Sequence, residues 1–507
     1  MRPLPFPAAL SALVAVALFA SCGAAAERPN LVLIMCDDMG WSDIGCYGGE
    51  IETPHIDRLA SEGLRFTQFY NNAKCTTTRA SLITGKYPLR NGEHLKTSVV
   101  TIPEVLSQAG YYSVLSGKWH LGADAPRRPS DRGFSNYYGL LDGCCNFHDP
   151  SIPDPDYKGG RIRWFGEDDV RITSFPEGFY TTDAFTDYAC RAIDTAVERQ
   201  QPLFLHVCYT APHYPLHARE EDIARYRGRY RDGWEALRRA RHARQIELGL
   251  VNPHWPLPGP DEEVTPWSEI RDQPYFDELM ATYAAMIDRM DQGIGRILAR
   301  LDAHQLTQNT LVMFLSDNGG CAEKPGGFDT ARVPGVREFY TACGPGWAFA
   351  QNTPFRRYKS WVHEGGISTP FIVRWPGVVA PNTMTAELGH IIDVLPTLAD
   401  IAGVTYPDRH EGHEILPVDG LTLRPVLEGS TRDGHAELNW EWGGNRAARA
   451  GRWKLCWDTK VKRWELYDVV ADRTEMHDRA AEYPDLEGRL AQQWFAWAEA
   501  TGLKVRP

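Results

Sequence analysis

The sequence has little of what defines the narrower protein classes. Its 11 cysteines in 507 residues are too few and too scattered for a disulfide-stapled scaffold. After the N-terminal segment no apolar run is long enough to cross a bilayer. Basic residues are in deficit, 54 Lys and Arg against 66 Asp and Glu for a net charge of -12, which argues against a nucleic-acid binder. There is no internal repeat and no Cys/His spacing of a structural zinc site. What remains is a globular composition, 43% hydrophobic and 24% charged, with length for one large domain and a smaller one.

The N-terminus carries an address. Arg2, the apolar stretch "ALSALVAVALFA" and the small residues up to Ala26 follow the charged, hydrophobic, small order of a secretory signal. Residues 1–26 are therefore read as a signal peptide, and the mature chain as exported, periplasmic or secreted. "FASC", ending at Cys22, resembles a lipoprotein cleavage box, which makes a lipid anchor on Cys22 the alternative. Cys36 and Cys208 lie in apolar, strand-like runs and read as buried free thiols. Cys144, Cys145, Cys321 and Cys343 are candidates for pairing. Cys75 differs from all of these, because "NNAKCTTTRASLITG" surrounds it with hydroxyls and Arg79.

Several apolar runs end abruptly in polar residues. "NLVLIMCDDMG" ends in Asp37 and Asp38, "YYSVLSGKWHLG" in Lys118 and His120, "PLFLHVCYTAPHYPLH" in His213 and His217, and "TLVMFLSDNGG" in Asp317 and Asn318. Continuous runs of this kind suit strands buried on both faces. Amphipathic patterns such as "TPHIDRLASEGLRF" and "YAAMIDRMDQGIGRILARLDAH" lie between them, so the fold is read as α/β. Its large N-terminal domain (27–403) has a mainly parallel or mixed central sheet flanked by helices. After Gly403 shorter alternating strands and a last helix with Trp494 and Trp497 predict a smaller C-terminal α+β subdomain with an antiparallel sheet (404–507). Ligands of open α/β sheets collect at the carboxyl ends of strands, which would put all four polar clusters on one edge. The Arg- and Glu-rich segment from Ala218 to Leu250 reads as an exposed, solvated helix.

The clusters have a chemical reading. Asp37, Asp38, Asp317 and Asn318, brought together, form an all-oxygen site suited to a hard cation such as Ca²⁺ or Mg²⁺. Each pair alone reads better as turn or N-cap acids; the repetition of the arrangement favours a metal. Arg79, Lys118, His120, His213 and Lys359, converging beside that metal, would make a pocket for a compact oxyanion. A helix beginning near Arg79 would add its N-terminal amides. Cys75 is then a thiolate nucleophile, an inert thiol or a modified residue, and the residues alone leave these open.

These motifs, together with "KSWVHEGGISTP", "DVLPTLADIAG", "NRAARAGRWKLCW" and "ELYDVVADRTEMHD", resemble the type I sulfatases of the alkaline-phosphatase superfamily, and among them the bacterial arylsulfatase-like members. The resemblance covers nearly the whole mature chain. It implies an alkaline-phosphatase-like fold and a sulfuric-ester hydrolase acting on an aryl sulfate or a sulfated carbohydrate. It implies that Cys75 is oxidised after translation to Cα-formylglycine, whose hydrate attacks sulfur with one hydroxyl and expels sulfate with the other. Asp37, Asp38, Asp317 and Asn318 match the ligands of a single Ca²⁺, ahead of Mg²⁺. Arg79 matches the residue that holds the hydrate, and Lys118 and Lys359 the pair that neutralises sulfate oxygens. His120 matches the assistant to the second hydroxyl, and His213 the general acid facing the leaving oxygen. A formylglycine-generating or radical maturase is the implied partner in biogenesis.

The family's modification motif is C-x-P-x-R, and here Thr77 stands at the proline position. That leaves the efficiency of conversion open and keeps a second reading in play, a catalytically silent binder of sulfated glycans with unmodified Cys75. A third reading is hydrolysis of phosphate mono- or diesters or phosphonates by a superfamily cousin; the single Asp/Asn set and the cysteine favour sulfate. Aromatics in "GPGWAFAQNTPFRRYKSW" and "NWEWGGN" are candidates for stacking on a sugar or aryl ring, and core packing explains them at least as readily.

Overall fold

Each Val/Leu/Ile/Phe run that stops at polar residues becomes a buried strand. In the computed structural model, which describes residues 28–88 and 95–503, the large sheet contains Asn30–Cys36 (β1), Leu64–Phe66 (β2), Tyr112–Gly117 (β3), Asn136–Leu140 (β4) and Phe165–Glu167 (β5). Val170–Arg171 (β6), Leu203–Cys208 (β7), Thr310–Ser316 (β8), Phe371–Arg374 (β9) and Thr383–Thr385 (β10) complete it. The spatial order is β10-β2-β9-β8-β1-β7-β3-β4-β5-β6. The centre, β8-β1-β7-β3-β4, is parallel, and β9 and β5 turn antiparallel on either side. Residues 1–26, read from the sequence as a signal peptide, and with them Cys22, lie outside the described residues. Among the described residues no helix is long and apolar enough to cross a membrane.

The strand alternation divides the apolar side chains between two cores. Val32, Ile34 and Cys36 face one, with the helices Pro54–Ser61 (α1), Thr181–Arg199 (α3) and Gln273–Ala303 (α5); Leu31, Leu33 and Met35 face the other, with Cys75–Thr84 (α2) and Val394–Ala402 (α6). Both faces being covered is why these strands read as unbroken apolar runs rather than alternating ones.

A second, antiparallel sheet lies near the C-terminus: Leu438–Trp442 (β11), Asn445–Ala450 (β12), Trp453–Asp458 (β13) and Arg463–Asp468 (β14), backed by Pro484–Ala500 (α7). Trp440, Ala447, Cys456 and Tyr467 from this sheet sit in the same core as Leu31 and Leu33. Buried ions also tie the helical turn before β9 to the C-terminal sheet. Glu364 is held by Lys454 at 2.9 Å and Arg473 at 2.8 Å, and Lys454 reaches Glu475 at 2.8 Å.

Three expectations need correction. The segment from Ala218 to Leu250 is not simply a solvated helix. Trp234, Arg238, Arg241 and Gln245 of Gly233–Glu247 (α4) are buried. Arg241 closes on Asp43 at 2.6 Å and Glu50 at 2.7 Å, and Arg238 donates to the carbonyls of Phe349, Pro354 and Phe355. These residues fall at helical spacing, but the buried stripe is built from guanidinium groups, so a hydrophobic pattern does not reveal it. Cys144, Cys145, Cys321 and Cys343 are free thiols, and no disulfide forms among the described residues. Trp347 and Trp440 are core residues rather than stacking platforms.

Candidate active site

The carboxyl ends of β1, β3, β7 and β8 lie side by side, because these strands are parallel and adjacent. The residue that follows each is therefore delivered to one edge: Asp37 and Asp38 after β1, Lys118 after β3, Asp317 and Asn318 after β8, with His213 in the loop after β7. Cys75 is the first residue of α2, so the helix starts four residues before the expected position at Arg79. The correction explains the spacing: residues four apart share a helix face, so Cys75 and Arg79 point the same way. Lys359 arrives from the loop before β9, where its N–H bonds the Gly320 carbonyl at 3.1 Å.

All ten candidate residues meet here, and nearly all are buried. Lys118 Nζ donates to Asp37 Oδ2 at 2.6 Å, and Lys359 Nζ lies 2.7 Å from Asp38. Asn318 Nδ2 donates to Asp38 Oδ1 at 2.7 Å. Arg79 donates Nε and Nη2 to Asp317 Oδ2 at 3.1 and 2.8 Å, and Nη1 to the Lys118 carbonyl at 3.1 Å. His213 Nε2 stands 3.4 Å from Asp38 Oδ2. The Cys75 sulfur and the Asp37 and Asp317 carboxylates lie within 4.8 Å of one another. Asp38 (φ 65°), Ala73 (62°), His120 (61°) and Ser360 (75°) all adopt left-handed backbone around the site. Such strain gathers where surrounding structure forces functional side chains into place.

The donor set fits a hard cation. Asp37 Oδ1 and Asn318 Oδ1 are buried acceptors with no hydrogen-bond partner. Burial and the neighbouring Asp317 carboxylate push the Asp37 pKa up to about 8. Asp38 is also buried, yet Lys359 and Asn318 hold it below the ordinary carboxylate range. With all three carboxylates ionised, as metal ligation requires, Arg79, Lys118 and Lys359 balance them to zero, so a divalent cation would leave a net positive pocket for an anion.

The remaining groups are tuned by burial. It raises the Cys75 thiol, and Lys118 and Lys359 only partly oppose it, which disfavours a resting thiolate. It also lowers His120 and His213, and adjacent cations push the same way. His120 Nδ1 is a buried polar atom without a partner. A Cβ on Gly143 would stand 2.7 Å from the His120 ring, so a glycine is needed here to admit the ring. Sequence reasoning missed the rim of the pocket. Lys74 pairs with Glu323 at 2.6 Å, Glu323 accepts from Tyr214 at 2.5 Å, and Lys74 lies over the Trp442 ring. Lys74 and Glu323 are 249 residues apart in the chain, and no local pattern joins them.

Comparison with known proteins points one way. The sulfatase family profile matches residues 29–404, and the profile of the N-sulphoglucosamine sulphohydrolase C-terminal region matches residues 356–494. An uncharacterized sulfatase of Schizosaccharomyces pombe is 32% identical over 96% of each chain. An arylsulfatase of Klebsiella aerogenes is 32% identical over 85% of this chain and 99% of its own, and human N-acetylgalactosamine-6-sulfatase is 29% identical over 80% and 66%. Among solved structures, Ps i-CgsB superposes with TM-score 0.70 at 26% identity over 93% of each chain; it has also been solved in complex with k-i-k-neocarrahexaose. Proteins of this family are in general formylglycine- and metal-dependent, and this chain holds acidic groups able to bind a metal. The chain belongs to the sulfatase family: it is a type I sulfatase of the alkaline-phosphatase superfamily, an enzyme that hydrolyses sulfate esters.

Proposed function

We propose that the enzyme cleaves a sulfate monoester of a carbohydrate or aryl alcohol, with Cys75 converted to formylglycine and a single Ca²⁺ held by Asp37, Asp38, Asp317 and Asn318. The observation that carries the reading is the pairing of two orphaned oxygens, Asp37 Oδ1 and Asn318 Oδ1, with a residue-75 side chain at a helix N-terminus among three buried cations. The formylglycine hydrate supplies the nucleophilic hydroxyl, and the cation supplies Lewis-acid polarisation of the sulfate. Arg79 fixes Asp317 and the Lys118 carbonyl, and so fixes the frame around residue 75. Lys118 and Lys359 neutralise sulfate oxygens. His120, held neutral by burial and its cationic neighbours, accepts a proton from a hydroxyl on residue 75. His213 donates to the leaving oxygen; burial, and then the Lys359 and Lys118 cations, disfavour its protonation, and the negative charge of the ester offsets the cations.

The wider assignment follows: a catalytic domain over 27–403, a C-terminal subdomain over 404–507, export to the periplasm or medium, and a maturase acting on residue 75. The substrate is a sulfated small molecule or saccharide, in line with the N-acetylgalactosamine-6-sulfatase relatives and with the k-i-k-neocarrahexaose bound to Ps i-CgsB. The test is mass spectrometry of the residue-75 peptide from native-host protein, with rates on 4-nitrophenyl sulfate and 4-nitrophenyl phosphate. Formylglycine and faster sulfate cleavage are expected. Faster phosphate cleavage would refute the sulfate reading. Unmodified Cys75 with glycan binding but no turnover would favour the silent binder.

A further inference from the structure

The side of the pocket where His213 stands continues outward as a track of aromatic rings. The Tyr214 ring lies 4.2 Å from the His213 ring, the Tyr340 ring 6.0 Å beyond, and Tyr157, 56% exposed, is edge-on to Tyr340 at 6.4 Å. Lys158 Nζ lies over both inner rings, 4.7 Å from the centre of Tyr214 and 5.2 Å from that of Tyr340. Past Tyr340 opens a cavity of about 420 Å³, lined by Tyr157, Tyr340, Arg332 and Arg337 among others.

The charges on this track are unevenly satisfied. Asp154 is taken up by Arg163, and Arg337 pairs with Glu338 at 2.6 Å. Asp329, which also lines the cavity, accepts the Ala331 N–H at 3.3 Å. Among the described residues, Lys158 and Arg332 have no carboxylate within 4.0 Å. A cation held by two tyrosine faces is positioned without being neutralised, and its remaining N–H donors are free for an anion. With His213 facing the leaving oxygen, as in the proposed function, the group esterified to the sulfate projects toward the Tyr214 ring at the start of this track.

We propose that Lys158, over Tyr214 and Tyr340, with Arg332 in the adjoining cavity, forms a leaving-group subsite for an anionic substituent, sulfate or uronate carboxylate, on a saccharide longer than one residue. The inference rests on the sulfatase reading and His213's place in it. Tyr157 and Tyr340 offer the ring faces on which a sugar stacks, and Lys158 selects for charge. A small aryl leaving group carries no second anion for Lys158 or Arg332 to hold.

The test uses full-length protein with formylglycine confirmed, and the variants Lys158→Met, Lys158→Glu, Lys158→Arg and Arg332→Met. Inhibition of 4-nitrophenyl sulfate turnover is measured with two competitors, a multiply sulfated galactan hexasaccharide and a monosulfated hexasaccharide that contains uronate. Lys158→Met should weaken one or both inhibitions about tenfold, Lys158→Glu further, and Arg332→Met less, while 4-nitrophenyl sulfate kcat/KM stays within about twofold. Lys158→Arg should retain inhibition. The competitor that suffers identifies the anion as sulfate or carboxylate. Unchanged inhibition by both competitors, or an equal loss on 4-nitrophenyl sulfate, overturns the proposal. Should wild-type protein release sulfate from neither 4-nitrophenyl sulfate nor the hexasaccharides, the sulfate-hydrolysis reading is what has failed. Calorimetric titration with the same hexasaccharides then decides the subsite, and equal affinities for wild type and Lys158→Met overturn it.

Discussion

Arg79→Ala separates the structural part of the site from its chemistry. Arg79 and Asp317 are 3% and 0% exposed, and the guanidinium makes two hydrogen bonds to Asp317 Oδ2 and one to the Lys118 carbonyl. Truncation leaves Asp317 with the Asp38 N–H at 3.1 Å as its remaining hydrogen bond, and strands a buried carbonyl. Breaking a buried ion pair from one side costs about 3–5 kcal/mol. At about 2 cal/mol/K per residue, unfolding a chain of 507 residues carries an entropy of roughly 1 kcal/mol/K, so the expected fall in Tm is about 3–5 °C. The bared Asp317 charge is one that a divalent cation can compensate. Saturating Ca²⁺ should therefore raise Tm more in Arg79→Ala than in wild type, where ligand at a hundredfold excess over Kd contributes about 2.7 kcal/mol. Scanning calorimetry at neutral pH, in EDTA and in millimolar Ca²⁺, reads both effects. A fall below about 1 °C, or a Ca²⁺ shift no larger than that of wild type, would refute the reasoning.

Three further outcomes are expected. His213→Ala should cost about 10²–10³-fold in kcat/KM on an alkyl or sugar sulfate and much less on 4-nitrophenyl sulfate, whose leaving group needs no proton; equal losses would remove His213 from the general-acid role. Thr77→Pro should raise the formylglycine fraction at residue 75 in a host whose maturase reads C-x-P-x-R, by mass spectrometry. The helix accepts it because the first intrahelical N–H belongs to Thr78, bonded to the Lys74 carbonyl at 2.9 Å, although the Thr77 hydroxyl bonds to the Asn72 and Lys74 carbonyls are lost. Asp291 accepts the N–H groups of His55 and Ile56 at the start of α1, yet burial pushes its pKa up to about 7. The folded protein thus binds a proton between pH 4 and 7 that the unfolded chain has released, and this group's contribution to stability falls as pH rises through that window. Asp291→Asn should flatten that slope in denaturant unfolding.

Much of the fold and site was legible in the chain because the signals were local. An unbroken apolar run that stops at Asp-Asp or Asp-Asn states both a doubly covered strand and which end carries polar groups. Parallel neighbours then deliver those ends to one edge, and the motif order from Asp37 to Lys359 supplied the family. Local signals also misled. Arg238 and Arg241 looked like surface charge, because burial of a guanidinium is decided by partners such as Glu50 and the Phe349 carbonyl that lie far away in sequence.

The sequence by itself determined the strand ends, the donor types and the Cys75–Arg79 spacing, since each depends on residues within a few positions of one another. Only the tertiary structure decided how the charges are shared: Arg79 on Asp317, Lys118 on Asp37, Lys359 on Asp38, with two oxygens left over. It alone placed Lys158 over Tyr340 and over Tyr214, whose ring packs against His213. The reason is physical. Electrostatic pairing acts over a few ångströms of space, and the fold brings to that distance residues that the chain holds hundreds of positions apart.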